Sequence, residues 1–153
     1  MNIFVLDYNI NKSAKYHCDR HVVKMILESA QMLSTALRLN GITKGYKPTH
    51  INHPCTIWAR ASLSNWEWLR NLARHLNSEY KFRFKKQTNH SSWNLIHSLP
   101  YPPIKDKGLT KFAQAMPNIY KSEDTVTAYR NFYVAEKVNI LSWTGRKTPE
   151  WVR

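Results

Sequence analysis

The chain has 153 residues, of which 42% are hydrophobic and 22% charged, a composition that fits one globular domain and excludes a disordered segment. Lys and Arg number 23 against 10 Asp and Glu, a formal net charge of +13, and such an excess repels itself unless the partner is a polyanion. Nucleic acid is the expected partner; the absence of any run of about 18 apolar residues excludes a transmembrane helix.

The first seven residues, Met1-Asn2-Ile3-Phe4-Val5-Leu6-Asp7, have no basic n-region, and their apolar run is too short for a signal peptide. They read as a short strand or an extended arm, followed by a turn over residues 7–11. Residues 12–39 carry a helical pattern, with Val22, Met25, Ile26, Ser29, Leu33, Ala36 and Leu37 at spacings of three and four. Asn40-Gly41 stops it. A loop over residues 42–54 follows, and Pro54 suits the first turn of the next helix, where a missing N–H costs nothing. That helix is expected over residues 55–84 and a shorter one over 91–98. Leu99-Pro100-Tyr101-Pro102-Pro103 is an extended connector. A last helix is expected after Ser122 as N-cap, reaching about Trp143 and ending at Gly145. The fold class is mostly α: one helical domain over residues 1–153, built from three long helices, short helices and an N-terminal arm.

The polar face of the first long helix carries the chemistry. His17, His21, Lys24, Glu28, Gln31 and Thr35 form one stripe, with Arg20 beside it. Glu28 is the only glutamate before residue 65. One reading is a solvated face with an ordinary Lys24–Glu28 surface pair. The other is a carboxylate set in a basic cleft, where it would repel phosphate and so needs a chemical reason to be there. Acid–base work at a sugar carbon is such a reason.

His17, Cys18, His21, His50, His53 and Cys55 raise the question of a metal. Their spacing matches no zinc pattern, and no metal or other cofactor is expected. With two cysteines there is no disulfide framework, and a reducing cytoplasm is the expected compartment, that of a host if the chain is viral. Neither a GxGxxG nor a GxxxxGK[ST] loop occurs. Most aromatics at helical spacing should be core; Tyr46, Trp93, Tyr101, Trp143 and Trp151, in or beside loops, have the better claim to stack an unpaired base. The alternating run from Lys81 to Lys86 either tracks a phosphate backbone or is the basic end of a helix.

Three landmarks carry a resemblance: Asp19-Arg20-His21-Val22-Val23-Lys24-Met25 followed by Glu28; Asn52-His53-Pro54 followed by Ile57-Trp58; and Tyr129-Arg130 with Lys137. In this order they resemble the pyrimidine-dimer DNA glycosylase family of endonuclease V type, in its looser phage and bacterial branch. The likeness is best over residues 1–80. It implies a bundle of three main helices with the N-terminus inserted among them. It also implies that an N-terminal amine attacks C1′ of a damaged nucleotide, the base leaves, an imine forms, and a glutamate assists loss of the 3′ phosphate. Glu28 matches that glutamate. His17, Arg20, His21, Lys24, His53 and Arg130 would then hold phosphate or sugar.

An amine must be neutral to attack, and an α-amine, with a pKa of about 8, meets that more readily than a lysine at ~10.4. The best-known member exposes a small second residue once its methionine is removed. Here that residue is Asn2, before which methionine is normally kept, so the catalytic amine belongs to Met1 or to Asn2. Lys24, or Glu28 acting with water, are alternatives.

The leading expectation is therefore a monomeric DNA glycosylase, with or without abasic-site lyase activity, acting on a damaged or modified pyrimidine in double-stranded DNA. The alternatives are a non-enzymatic nucleic-acid-binding protein on the same scaffold, a metal-dependent nuclease, and a related enzyme of small nucleosides or nucleotides.

Overall fold

The computed structural model describes residues 1–152. It holds six α-helices and, among the described residues, no strand: α1 (Ile10–Tyr16), α2 (Asp19–Arg38), α3 (Pro54–Arg60), α4 (Leu63–Arg83), α5 (Ser91–Ser98) and α6 (Thr125–Glu136). Single 3-10 turns stand at Asn118–Tyr120 and Val138–Ile140. The expected α class and the 91–98 helix are both found. None of the helices is long and apolar enough to cross a membrane, among the described residues.

The central element is α2, which packs against α3, α4 and α5. Its second half is apolar on several sides, so Ala30, Met32, Leu33, Ala36 and Leu37 are all fully buried. The N-terminal arm is extended, and Ile3, Phe4, Val5 and Leu6 join the same core. Arm and α6 meet through Phe4, whose ring lies 5.2 Å from Tyr133 and 5.9 Å from Tyr129.

The first two of the three long helices expected are broken, for the same kind of reason. His17 and Cys18 are extended, with ψ of 133° and 161°, and separate α1 from α2. Their freed backbone groups are taken up by distant side chains: Arg83 donates to the carbonyls of His17 (2.7 Å) and Lys15 (2.8 Å), and Tyr133 Oη accepts from the Cys18 N–H (3.0 Å). Likewise Ser62, with φ −157° and ψ 146°, separates α3 from α4. Its hydroxyl donates to the Gly108 carbonyl (2.7 Å) and accepts from the Lys107 N–H (2.8 Å). Asp106 then caps α4 by accepting from the Ser64 N–H and hydroxyl.

The expected start of the last helix also shifts. Asp124, not Ser122, is the N-cap of α6, accepting from the Thr127 N–H at 2.9 Å. The helix ends at Glu136, well short of Trp143, because the Lys137 backbone leaves the helical region. Residues 141–146 instead run back to the start of α2. There the Asp19 N–H donates to the Ser142 carbonyl (2.8 Å), and the Asp19 carboxylate accepts from the Thr144 N–H and hydroxyl. The strap thus holds the N-terminus of the helix that bears Lys24 and Glu28.

Candidate active site

Glu28 sits two and a half turns into α2 and is only 6% exposed. A buried carboxylate needs partners, and the arm supplies them. The Asn2 backbone N–H donates to Glu28 Oε1 at 2.9 Å, and the Met1 α-amine lies 3.3 Å from the same oxygen. Lys24 Nζ is 3.8 Å from Oε2, one turn away on the same helix. These groups line a cavity of about 110 Å³ together with Phe4, His21, Met25 and Lys137. Among the described residues its charged lining is one carboxylate against three amines, those of Met1, Lys24 and Lys137.

The structure sorts the site residues expected from sequence. Met1, Asn2, His21, Lys24 and Glu28 come together around this cavity. Arg20 is exposed and lines an apolar shelf beside it with Val23, Lys24 and Phe84. His53 is the N-cap of α3, its Nδ1 accepting from the Cys55 N–H at 3.1 Å. Burial, and then the positive charge of the chain's amino terminus, hold the His53 imidazole below its ordinary pKa.

Two of the expected residues lie away from the cavity. His17 is off the α2 stripe, in the break before it, with no exposed surface. Its Nδ1–H donates to the Ser13 carbonyl at 2.7 Å. Arg130 is not aimed at the cavity either. Its guanidinium donates to the Leu6 carbonyl (2.9 Å) and to Asp7 (3.0 Å), and lies over the rings of Tyr16 and Trp151. It fastens the arm to α6. None of the five loop aromatics lines the cavity: Trp93 is buried, and the Trp143 indole N–H donates to the Tyr16 carbonyl at 2.9 Å. In the basic run, Arg83 is buried among carboxylates and carbonyls and tracks no phosphate.

His21 lines the cavity as a neutral ring. It stacks on Phe4 at 4.5 Å, and its Nδ1 is 2.7 Å from Tyr133 Oη. Burial first, then the neighbouring His17 ring and the charges of Lys137, Lys24 and Arg20, lower its pKa to about 3. Burial likewise lowers His17 to about 4, and its buried Nε2 has no partner among the described residues that could share a proton. Unfolded histidines bind a proton below about pH 6.5, whereas these two bind none until well below pH 5. The unfolded state therefore holds more protons across that window, and stability falls as pH falls. The two together are expected to cost about 3 kcal/mol between pH 7.5 and 5.5, read from urea midpoints at both values. A loss below about 1 kcal/mol would show that the folded rings do take up protons.

Sequence reasoning missed Lys137 as a lining residue. It approaches from just beyond α6, with Nζ 5.1 Å from the centre of the Phe132 ring, and makes no ion pair among the described residues. Its place beside Tyr129-Arg130 in the family likeness was the one available signal.

Fold and cavity define an all-helical protein with a single carboxylate lining a cationic hollow. The chain belongs to the pyrimidine dimer DNA glycosylase family, whose model matches residues 1–92. Membership makes it a glycosylase-type protein with DNA as its substrate. No curated protein and no solved structure matches the chain. The matched region carries Met1, Asn2, His21, Lys24 and Glu28; Lys137, α6 and the strap over residues 141–146 lie beyond it.

Proposed function

We propose that this chain is a glycosylase and abasic-site lyase for a damaged or modified pyrimidine in double-stranded DNA, with the Met1 α-amine as nucleophile and Glu28 as proton carrier. The observation that carries this reading is the approach of the amine to Glu28 Oε1 at 3.3 Å in a cationic cavity. At that distance the carboxylate can take the ammonium proton and free the nitrogen lone pair. The amine attacks C1′, the C1′–N bond breaks, and the base departs with its electron pair, taking the proton that Glu28 received. Glu28 then takes a proton from the attached nitrogen; the nitrogen lone pair expels O4′, which leaves with the C1′–O4′ electron pair and accepts that proton from Glu28, giving an imine. The Glu28 carboxylate then removes a C2′ proton, the 3′ phosphate leaves with its electron pair, and water hydrolyses the imine. While positive charge builds on the sugar, the same carboxylate stabilises it. Lys24 and Lys137 hold the flanking phosphates, whose charge would otherwise be repelled by Glu28.

The volume of the cavity favours a polymer over a free nucleotide. Small-molecule sites enclose roughly 300–1,000 Å³. About 110 Å³ admits part of a sugar and no whole nucleoside, so the rest of the ligand must lie on the surface.

The test is borohydride trapping on two labelled duplexes, one with a single thymine dimer and one with an abasic site. A covalent adduct on both, lost when the N-terminus is blocked, is the expected result. No adduct and no strand cleavage on either, with tight salt-sensitive binding, would replace this reading with that of a binding protein.

A further inference from the structure

The catalytic scheme uses only the backbone N–H of Asn2, yet its side chain is the most heavily tethered group at the site. Oδ1 accepts from the Tyr129 hydroxyl at 2.9 Å and from the Ile3 N–H at 2.8 Å, with the Cys55 thiol at 3.6 Å. Nδ2 donates to the Ala115 carbonyl at 3.0 Å. The Tyr129 hydroxyl in turn lies 2.9 Å from the Ala113 carbonyl and 3.2 Å from the Ala115 N–H. Thus α3, α6 and residues 113–115 all converge on one amide.

We infer that Asn2 is a positioning residue, whose side chain sets how far the Met1 amine reaches into the cavity while its N–H sets the Glu28 carboxylate. The inference rests on the reading above, in which that amine is the nucleophile. The arm is extended, so a slip of one residue moves the amine by about 3.3–3.6 Å. A misplacement of ~1 Å already costs about 10²-fold in a reaction that depends on alignment. An amide suits the task because it both donates and accepts. Aspartate loses the donor to Ala115 and sets a second negative charge behind Glu28; leucine loses every tether. Burial raises the pKa of both Cys55 and Tyr129, so both remain protonated donors toward Oδ1. The tether is independent of the arm's apolar anchoring, which residues 3–6 supply through the core.

The experiment compares the wild type with Asn2→Asp and Asn2→Leu, both with bulky second residues, and checks Met1 retention by intact mass. Three quantities are read: the single-turnover rate of imine trapping on an abasic duplex, the Kd for a duplex bearing a reduced abasic analogue, and the melting temperature. The expected result is a trapping rate about 100-fold lower in both variants, with Kd changed less than threefold. Asn2→Asp, isosteric with the original, keeps the comparison sound should Asn2→Leu fold poorly. Trapping at the wild-type rate, or a rate loss matched by an equal loss of affinity, would overturn the positioning role. A wild type that forms no adduct overturns the nucleophile reading and this inference together. A wild-type adduct with unaffected variants sinks the positioning role alone.

Discussion

Glu28→Gln is expected to lower both glycosylase and strand-cleavage rates by about 10³-fold while leaving DNA affinity equal or higher. Glutamine keeps the shape of the side chain, and its carbonyl oxygen can still accept from the Asn2 N–H that now lies 2.9 Å from Oε1. What disappears is the negative charge. On the scheme proposed above, the Met1 amine, 3.3 Å from Oε1, would lose the base that frees its lone pair, and the sugar the charge that offsets its own. Phosphate binding gains instead, because the one repelling group in the cavity is gone. Single-turnover cleavage and fluorescence anisotropy on the same duplex give both quantities. A variant that cleaves within tenfold of wild type would remove Glu28 from the chemistry. Loss of rate and affinity together would point to a misfolded site, and the circular dichroism spectrum would show which.

Arg83→Met is expected to destabilise the fold by about 4 kcal/mol, a fall in Tm of roughly 10 °C for a chain of this size. Its side chain is fully buried. It ties Glu79 (3.0 Å) and Asp19 (3.2 Å) to the carbonyls of Lys15 and His17 across the break between α1 and α2. Methionine fills the volume and leaves those acceptors unpartnered. Glu79 keeps Arg146 at 2.7 Å, and Asp19 keeps Thr144, so the cost falls mainly on the two carbonyls. A buried ion pair replaced by an apolar residue is sometimes neutral, and thermal unfolding decides: a shift below 3 °C would show that the break holds without Arg83.

The parts of this fold that follow local rules were readable from sequence. Pro54 at the start of α3, the 91–98 helix and the apolar face of α2 depend on neighbours within a few residues. Glu28 stood out because its helical surroundings are basic. The two breaks were hidden, since periodicity runs through them and their cause lies far away, in Arg83 for one and Asp106 with residues 107–108 for the other. His17 shows the price of that: on an unbroken helix its four-residue spacing from His21 joins it to the stripe, whereas the extended backbone at 17–18 turns it into the core. The side-chain tethers of Asn2 and the approach of Lys137 depend on long-range closure, which no local pattern records.

The embedded arm also bears on how the protein matures. Asn2 leaves the ribosome well before its partners: its acceptor Ala115 follows 113 residues later, and Tyr129 later still. At about 5–20 residues per second, synthesis takes roughly 6–20 s to span that interval. Until then α2 can form and carry Glu28, and the apolar arm can join it, but the Asn2 side chain lacks its partners Ala115 and Tyr129. On the scheme proposed above, a nascent chain gains its full rate only after the C-terminal third has emerged and closed over the arm.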